Sequence, residues 1–583
     1  MTKQQWNLDD IYPLDQFNEM KVRLQNQFGK FQLSWEKITP KSNTEDFVYL
    51  MENYEKVVSM VNQIVSRLDL GICTDQNNNS LRKLREIAEE LISKIEVDTS
   101  ELEKWLKGLS VQGKEKLDLE NAQRFFCSIP QMEYSLKRKL YAAKYLLKPR
   151  EENIIDSLNQ KSLYALYDLR NQLINDYKFS LYDKKRISQS ELMTFTYNKD
   201  HKYRTKAYKL LLSKYKKDIN KHFLVYQSLI KCLSFESKLR GFENPFTAQN
   251  FNDDISDTAL KSLFDVIQLN KETFGFFFKY QANLLKIPKF SRFDTHALTS
   301  KADIEISFDQ AKDLILNALQ DFNPKFFSYA KLLFDSNHID YFPNPKKQIG
   351  AFCETISPSV TPYIFVNYYN RLSDVFELAH EIGHAIHSMF SSHLPPSTQE
   401  SSILLSETAS TLTEMVVFDY YLKQVDDPKL KKTIILQKLT DSYSMIFRKS
   451  YLVLFELKAF ELVAEGSDPE SLSQLYFDIL KEQYGDNVEI DQLFRYEWAC
   501  IKHLYDAPFY GYSYCFGELL SYSLYSNCKK NKQDYLPKIE NILSAGGSVN
   551  TEQTLSMVGI DINSKETWIS GFSLIQDLIN QLN

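Results

Sequence analysis

The stretch LSDVFELAHEIGHAIHSMF, residues 372–390, constrains this chain more than any other part of it. Its apolar residues Leu372, Val375, Phe376, Ala379, Ile382, Gly383, Ile386, Met389 and Phe390 fall at steps of three, one and three. That is the spacing of one continuous face of an α-helix. Ser373 or Asp374 can cap its start, and Pro395 with Pro396 stops the chain from continuing as helix beyond it. The same helix carries His380 and His384 four residues apart, so both imidazoles project from one side, a turn apart.

Two nitrogen ligands placed in this way can share one Zn²⁺, each at about 2.0–2.1 Å. Glu381 lies beside them, within reach of a water on the open metal position. Zinc brings the pKa of such a water to near 7, and a carboxylate can take its proton as it attacks an amide carbonyl. A pair of surface histidines on a helix is the plain alternative. It is weakened because four of the nine histidines fall between 380 and 393.

A catalytic zinc needs a third protein ligand. The metzincin pattern would require Gly at 387 and His at 390; this chain has His387 and Phe390, which excludes that class. The other route is a glutamate on a following helix, and ILLSETASTLTEMVVFDYYL supplies Glu407 just past the PPST turn. Alone, Glu407 could be a solvated carboxylate. Its neighbours Ser406, Thr408, Ala409 and Ser410 are small, however, and would let this helix approach the histidine helix closely, which favours the ligand. Glu414, two turns on along the same side, could orient a ligand histidine. His387 points nearly as His380 does but two turns away, too far to join the other ligands. It faces substrate or supports the site, or it is simply a satisfied histidine.

Elsewhere the texture is helical. Glycine (16) and proline (17) are scarce in 583 residues, which argues for long helices over many short strands. That length also calls for two or more lobes. Residues 1–185 read as amphipathic helices, typified by EDFVYLMENYEKVVSMVNQIVSRLDL, with NNNS near residue 78 as a short polar break. RGFENPFT (240–247) and IPKFSRFD (287–294) look like turns. TPYIFVNYY is rich in β-branched and aromatic residues and reads as a strand. At a sheet edge its backbone could pair with an extended peptide; an ordinary buried strand is the better reading.

The net charge of −6 gives no reason to expect a nucleic-acid partner, and Lys214, Lys216 and Lys217 read as a solvated helix face. Cys73, Cys127, Cys232, Cys353, Cys500, Cys515 and Cys528 form no CxxC pair, the usage of a reducing compartment. MTKQQWNLDDIYP lacks the apolar core of a signal peptide, and no uninterrupted apolar run reaches membrane-spanning length. A cytoplasmic protein without a membrane partner is the expectation.

HEIGHAIH followed by LLSETAST resembles the oligoendopeptidase F branch of the thimet oligopeptidase-like zinc peptidases. WNLDDIYP resembles that branch's opening signature, and GAFC (350–353) with PYIFVNY resembles the segment before its zinc helix. HLYDAPFYGYSYCFGELLS (503–521) and LSAGGS (543–548) are similar to its C-terminal landmarks, so the likeness runs nearly end to end. It implies a mainly α, two-lobed helical shell around a deep channel, with a zincin-type helix pair and a small β-sheet. It divides the chain into an N-terminal helical lobe, 1–185, and a catalytic domain, 186–583. It further implies endopeptidase action on short peptides, with one Zn²⁺ per chain held by His380, His384 and Glu407 and with Glu381 as general base.

A tetrahedral intermediate needs a further donor for its oxyanion. Family members use tyrosines, and often a histidine, in the segment that here offers His503, Tyr510, Tyr512 and Tyr514 behind the helix-breaking Pro508. Tyr512 is the first choice, then His503 and Tyr510. More distant relatives have a YYGY-like run where this chain has FYGY, with Phe509 at the first position. Any one of these tyrosines could instead only pack a wall. Gly511, Gly517 and the pair Gly546–Gly547 could give mobility or serve as ordinary turn glycines. Two rivals remain: a helical metallocarboxypeptidase, whose basic anchor and accessory motifs are not seen, and a non-catalytic peptide-binding protein, which would have lost a ligand or the base. Cleavage preference, peptide length and oligomeric state have no signature in the sequence.

Overall fold

The computed structural model describes residues 6–297 and 304–582. The fold is mainly α, with three small sheets among the described residues. It divides into two compact units, each assembled from three stretches of chain: Met1–Lys144, Asp303–Gln424 and Leu524–Asp561 in the first, and Tyr145–Ala302, Val425–Ser523 and Ile562–Asn583 in the second. This is a division in space. Residue 185, the expected end of the N-terminal lobe, lies in the strand Lys184–Ile187, paired with Phe179–Leu181 inside the second unit.

The first unit opens with the long amphipathic helices Phe17–Lys37, Thr44–Thr74 and Asn79–Leu106. The polar break at NNNS has a specific job: Asn78 accepts from the Leu81 amide at 3.1 Å and caps the third helix. Asn43 caps the second through the Asp46 amide at 2.7 Å. Their apolar faces close over stacked aromatics, Phe47 on Phe125 at 4.6 Å and Trp35 edge-on to Trp105 at 5.7 Å.

WNLDDIYP packs on a three-stranded sheet. Trp6 meets Tyr363 and Phe365, both at 5.8 Å, and the Tyr363 hydroxyl donates to the Asn7 carbonyl at 2.6 Å. Within that sheet Tyr363–Phe365 is the middle strand, parallel to Ile339–Asp340 and antiparallel to Phe352–Glu354. The strand read from TPYIFVNYY therefore exists but is short and fully buried, and its backbone is used on both sides. The sheet's two edges are Ile339–Asp340 and Phe352–Glu354, the latter beginning in GAFC, and neither has a strand on its outer side among the described residues.

In the second unit, RGFENPFT supplies a turn at Gly241 and then the helix Pro245–Asn252, capped by Asn244. IPKFSRFD holds a short strand, Phe290–Ser291, and a 3₁₀ turn, Arg292–Asp294. Both charged residues of that turn are buried in pairs, Arg292 with Glu497 at 2.5 Å and Asp294 with Arg204 at 2.6 Å. A single π turn, Ser444–Arg448, joins the helices Pro428–Tyr443 and Lys449–Ala464.

Candidate metal centre and active site

The histidine helix runs Leu372–Phe390 as its apolar steps require. Of the two expected candidates, Ser373 and Asp374, it is Asp374 that holds its start. Asp374, inside the first turn, reaches back to accept from the Tyr369 amide at 2.7 Å and the Arg371 amide at 3.1 Å, satisfying amides that the helix cannot. The glutamate helix, Ile403–Gln424, packs against it. Gly383 makes the crossing possible: a Cβ there would lie 2.6 Å from Ser410 Cα and 2.9 Å from the Ala409 carbonyl oxygen. The glycine of HEIGH and the small residues after Glu407 are thus two halves of one contact.

That contact brings His380, His384 and Glu407 together, with one ligand atom from each lying within 4.8 Å of the others. His380 Nε2 is 3.5 Å from Glu407 Oε2. Ligands each about 2.0–2.1 Å from a tetrahedral ion are separated by roughly 3.4 Å, so the pair fits a Zn²⁺ between them. Glu414 Oε2 lies 3.6 Å from His380 Nδ1, the ring atom a metal would leave free. His384 Nδ1 is 3.0 Å from Ser406 Oγ. Sequence reasoning missed that role for Ser406; its signal was a hydroxyl immediately before the candidate ligand Glu407.

The electrostatics favour positive charge at the centre. Burial opposes charge on His380, yet Glu407 and Glu414 draw a proton onto it and push its pKa up to about 10. Burial and the charge on His380 pull His384 down to about 4, leaving a neutral imidazole. Burial pushes Glu381, 8 % exposed, up to about 7. His380, Glu381, His384 and Glu407 line a cavity of about 550 Å³ with Phe352, Cys353 and Glu400. His387 lines it too, held neutral by burial at about 3, and its Nε2 has no hydrogen-bond partner. Gly546 and Gly547 act as packing glycines, because a Cβ at either would strike backbone oxygens of residues 398–400. Gly547 also donates to the Thr398 carbonyl at 2.9 Å, clamping the wall that carries Glu400.

His503, Tyr510 and Tyr512 lie in the second unit. Tyr512 is fully buried and its hydroxyl donates to Asp253, which raises its pKa further than burial alone. His503 Nε2 is 3.4 Å from Lys449 Nζ, and Tyr510 stands edge-on to Tyr514 at 5.3 Å. After Pro508 the chain turns through Phe509 at φ 64°, a left-handed conformation unusual for a bulky residue, with its amide donating to the buried Glu456 at 2.9 Å. Gly511 then lies close on a neighbouring helix, where a Cβ would be 2.9 Å from the Lys449 carbonyl oxygen.

Residues 194–574 match the sequence profile of Peptidase family M3. An oligoendopeptidase F homolog from Borreliella burgdorferi is 28% identical over 94% of this chain and 91% of its own length. Oligopeptidase PepF from Bacillus subtilis is 22% identical over 99% of this chain and 86% of its own. Among solved structures, a putative peptidase from Chlamydophila abortus superposes with a TM-score of 0.88 at 22% identity, covering 100% of this chain and 98% of that one. Oligoendopeptidase-F from Enterococcus faecium gives 0.67 at 20% identity, covering 97% and 98%. The two structural likenesses bear on the fold.

Proposed function

The chain belongs to Peptidase family M3, and from that premise we propose a zinc endopeptidase that cuts internal bonds of short oligopeptides. One observation carries the metal assignment: a helix crossing, permitted by Gly383, that gathers one ligand atom from each of two imidazoles and a carboxylate within 4.8 Å of one another. His380, His384 and Glu407 would hold one Zn²⁺ per chain. Bound there, the ion would polarise the scissile carbonyl and bring the pKa of a water toward 7. Ser406 fixes which nitrogen of His384 faces the site, and Glu414 does the same for His380. The Glu381 carboxylate takes the proton of the attacking water and delivers it to the leaving amine; burial suits it to hold that proton. Phe352–Glu354 offers an unpaired strand edge to an extended peptide.

For the oxyanion donor we place His503 and Tyr510 ahead of Tyr512, whose hydroxyl would first have to leave Asp253. The profile match from residue 194 supports treating 186–583 as the peptidase domain. Seven unpaired thiols support a reducing, cytoplasmic setting, and among the described residues no helix is long and apolar enough to cross a membrane. The partners are peptides, with no nucleic acid.

The test is a mixed peptide library digested with and without a chelator, with cut sites read by mass spectrometry. Internal cuts that vanish with the chelator and return with zinc are expected. A chain without stoichiometric metal that cuts nothing when zinc is added would end the enzyme reading. Loss of cleavage in peptides amidated at the C-terminus would point instead to a carboxypeptidase.

A further inference from the structure

The second unit holds a cavity of about 360 Å³ whose wall includes His503, a candidate oxyanion donor, but neither Glu381 nor any of the proposed metal ligands. Four cations line it, Arg292, Arg448, Lys449 and Lys502, against a single carboxylate, Glu497. Arg292, 1 % exposed, takes most of that carboxylate at 2.5 Å, while Tyr476 donates to its other oxygen at 2.9 Å. Arg448 reaches the same carboxylate only at 3.8 Å. Lys502 is paired outside with Asp506 at 2.5 Å. Lys449 stands against His503 and over the Tyr514 ring at 4.4 Å. Its charge interacts with Glu456, but burial pushes that carboxyl up to about 8, so it is largely protonated at neutral pH. Arg448 and Lys449 are therefore in excess.

Independent signs point the same way. Burial and Arg448 pull Lys449 down to about 8, and burial with nearby cations holds His296 at about 3. Two buried donors in the wall, Arg292 Nε and Tyr451 Oη, have no acceptor. The π turn Ser444–Arg448 ends at the two excess cations, and such turns recur at functional sites. What this cavity lacks is an anion. Glu497 already occupies part of the wall, which disfavours a doubly charged phosphate. Leu211, Leu452 and Ile479 give the rest of the wall an apolar lining suited to a side chain.

We propose that this cavity binds a peptide carboxylate, with Arg448 and Lys449 as the charged donors and Tyr451 as a neutral one. The carboxylate is either a C-terminus or an Asp or Glu side chain. The site takes part in substrate recognition, and in this it rests on the peptidase reading above.

Binding, not cleavage, tests it. Three fluorescent N-acetyl hexapeptides are titrated into full-length Glu381→Gln protein: one with a free C-terminus, one amidated, and one amidated with an internal Glu. Anisotropy gives the affinities, and mass spectrometry reports whether any peptide is cut. Cleavage would fault the general-base assignment alone, because the affinity is read from the initial amplitude. At least one carboxylate probe should bind about tenfold tighter than the neutral amide. Which one does so identifies the source. Adding Arg448→Gln or Lys449→Gln should remove most of that advantage, and two separate variants guard against one failing to fold. Equal affinities for all three probes, or a carboxylate preference that survives in both folded variants, would overturn the proposal.

Discussion

The two polar centres of this molecule are electrostatic opposites built by different means. In the first unit three carboxylates, Glu381, Glu407 and Glu414, surround His380, and the excess negative charge draws a proton where a metal would bind. In the second, Arg292, Arg448 and Lys449 line one cavity with a single carboxylate, Glu497, and burial with nearby cations lowers the pKa of His296 and His503. The negative centre rests on two long helices in contact along a glycine seam. Part of the positive one rests on a π turn, and His503 in its wall leads into a left-handed residue at Phe509. A centre on regular helices inherits its geometry from the 3.6-residue repeat. One built on turns has its geometry fixed only by what packs around it.

The largest effect that would break this contrast is at the base. Glu381→Gln should lower kcat by about 10²–10⁴-fold while metal content, measured by atomic absorption, stays stoichiometric. A variant with near-normal kcat would remove Glu381 from the chemistry. Ser406→Ala should weaken zinc affinity by roughly 10–100-fold through a misoriented His384, read by competition with a chromophoric chelator. An unchanged affinity would show that the 3.0 Å contact does not orient the ligand.

Gly383→Ala tests the seam itself. The added methyl must push the helices apart, costing about 1–3 kcal/mol in a denaturant titration, and zinc affinity should fall with it because Glu407 moves away from the histidines. Stability lost without any change in metal affinity would mean the crossing is not what positions Glu407. The smallest effect belongs to the second unit. Tyr512→Phe should cost about 1 kcal/mol of stability, because its hydroxyl serves Asp253, and should leave kcat within a few-fold. A fall in kcat of about 100-fold would return Tyr512 to first place as oxyanion donor.

Legibility in the sequence divides along the same contrast. His380, Glu381 and His384 are set by spacing alone, and Glu407 is marked by the small residues beside it. The reason for Gly383 was hidden, because a helical pattern shows an apolar face without showing how near its neighbour comes. The strand near residue 363 is recognisable from composition, but its place in the middle of the sheet depends on Ile339–Asp340 and Phe352–Glu354, which have no such signature. Tyr512 stands out by its position in a motif. Its hydroxyl is taken by Asp253, far away in the chain, and no local pattern carries that information.

By itself, then, the sequence determined the helical class and the histidine helix, because these rest on repeats of three and four residues, and it singled out His380, His384 and Glu407 as candidate metal donors. The tertiary structure decided which strand edges are open, which hydroxyl steadies His384, and that the Tyr512 hydroxyl is engaged. It also decided where positive charge gathers in excess of its counter-ions. Those properties depend on distances between residues that the chain separates by up to hundreds of positions, and only packing sets them.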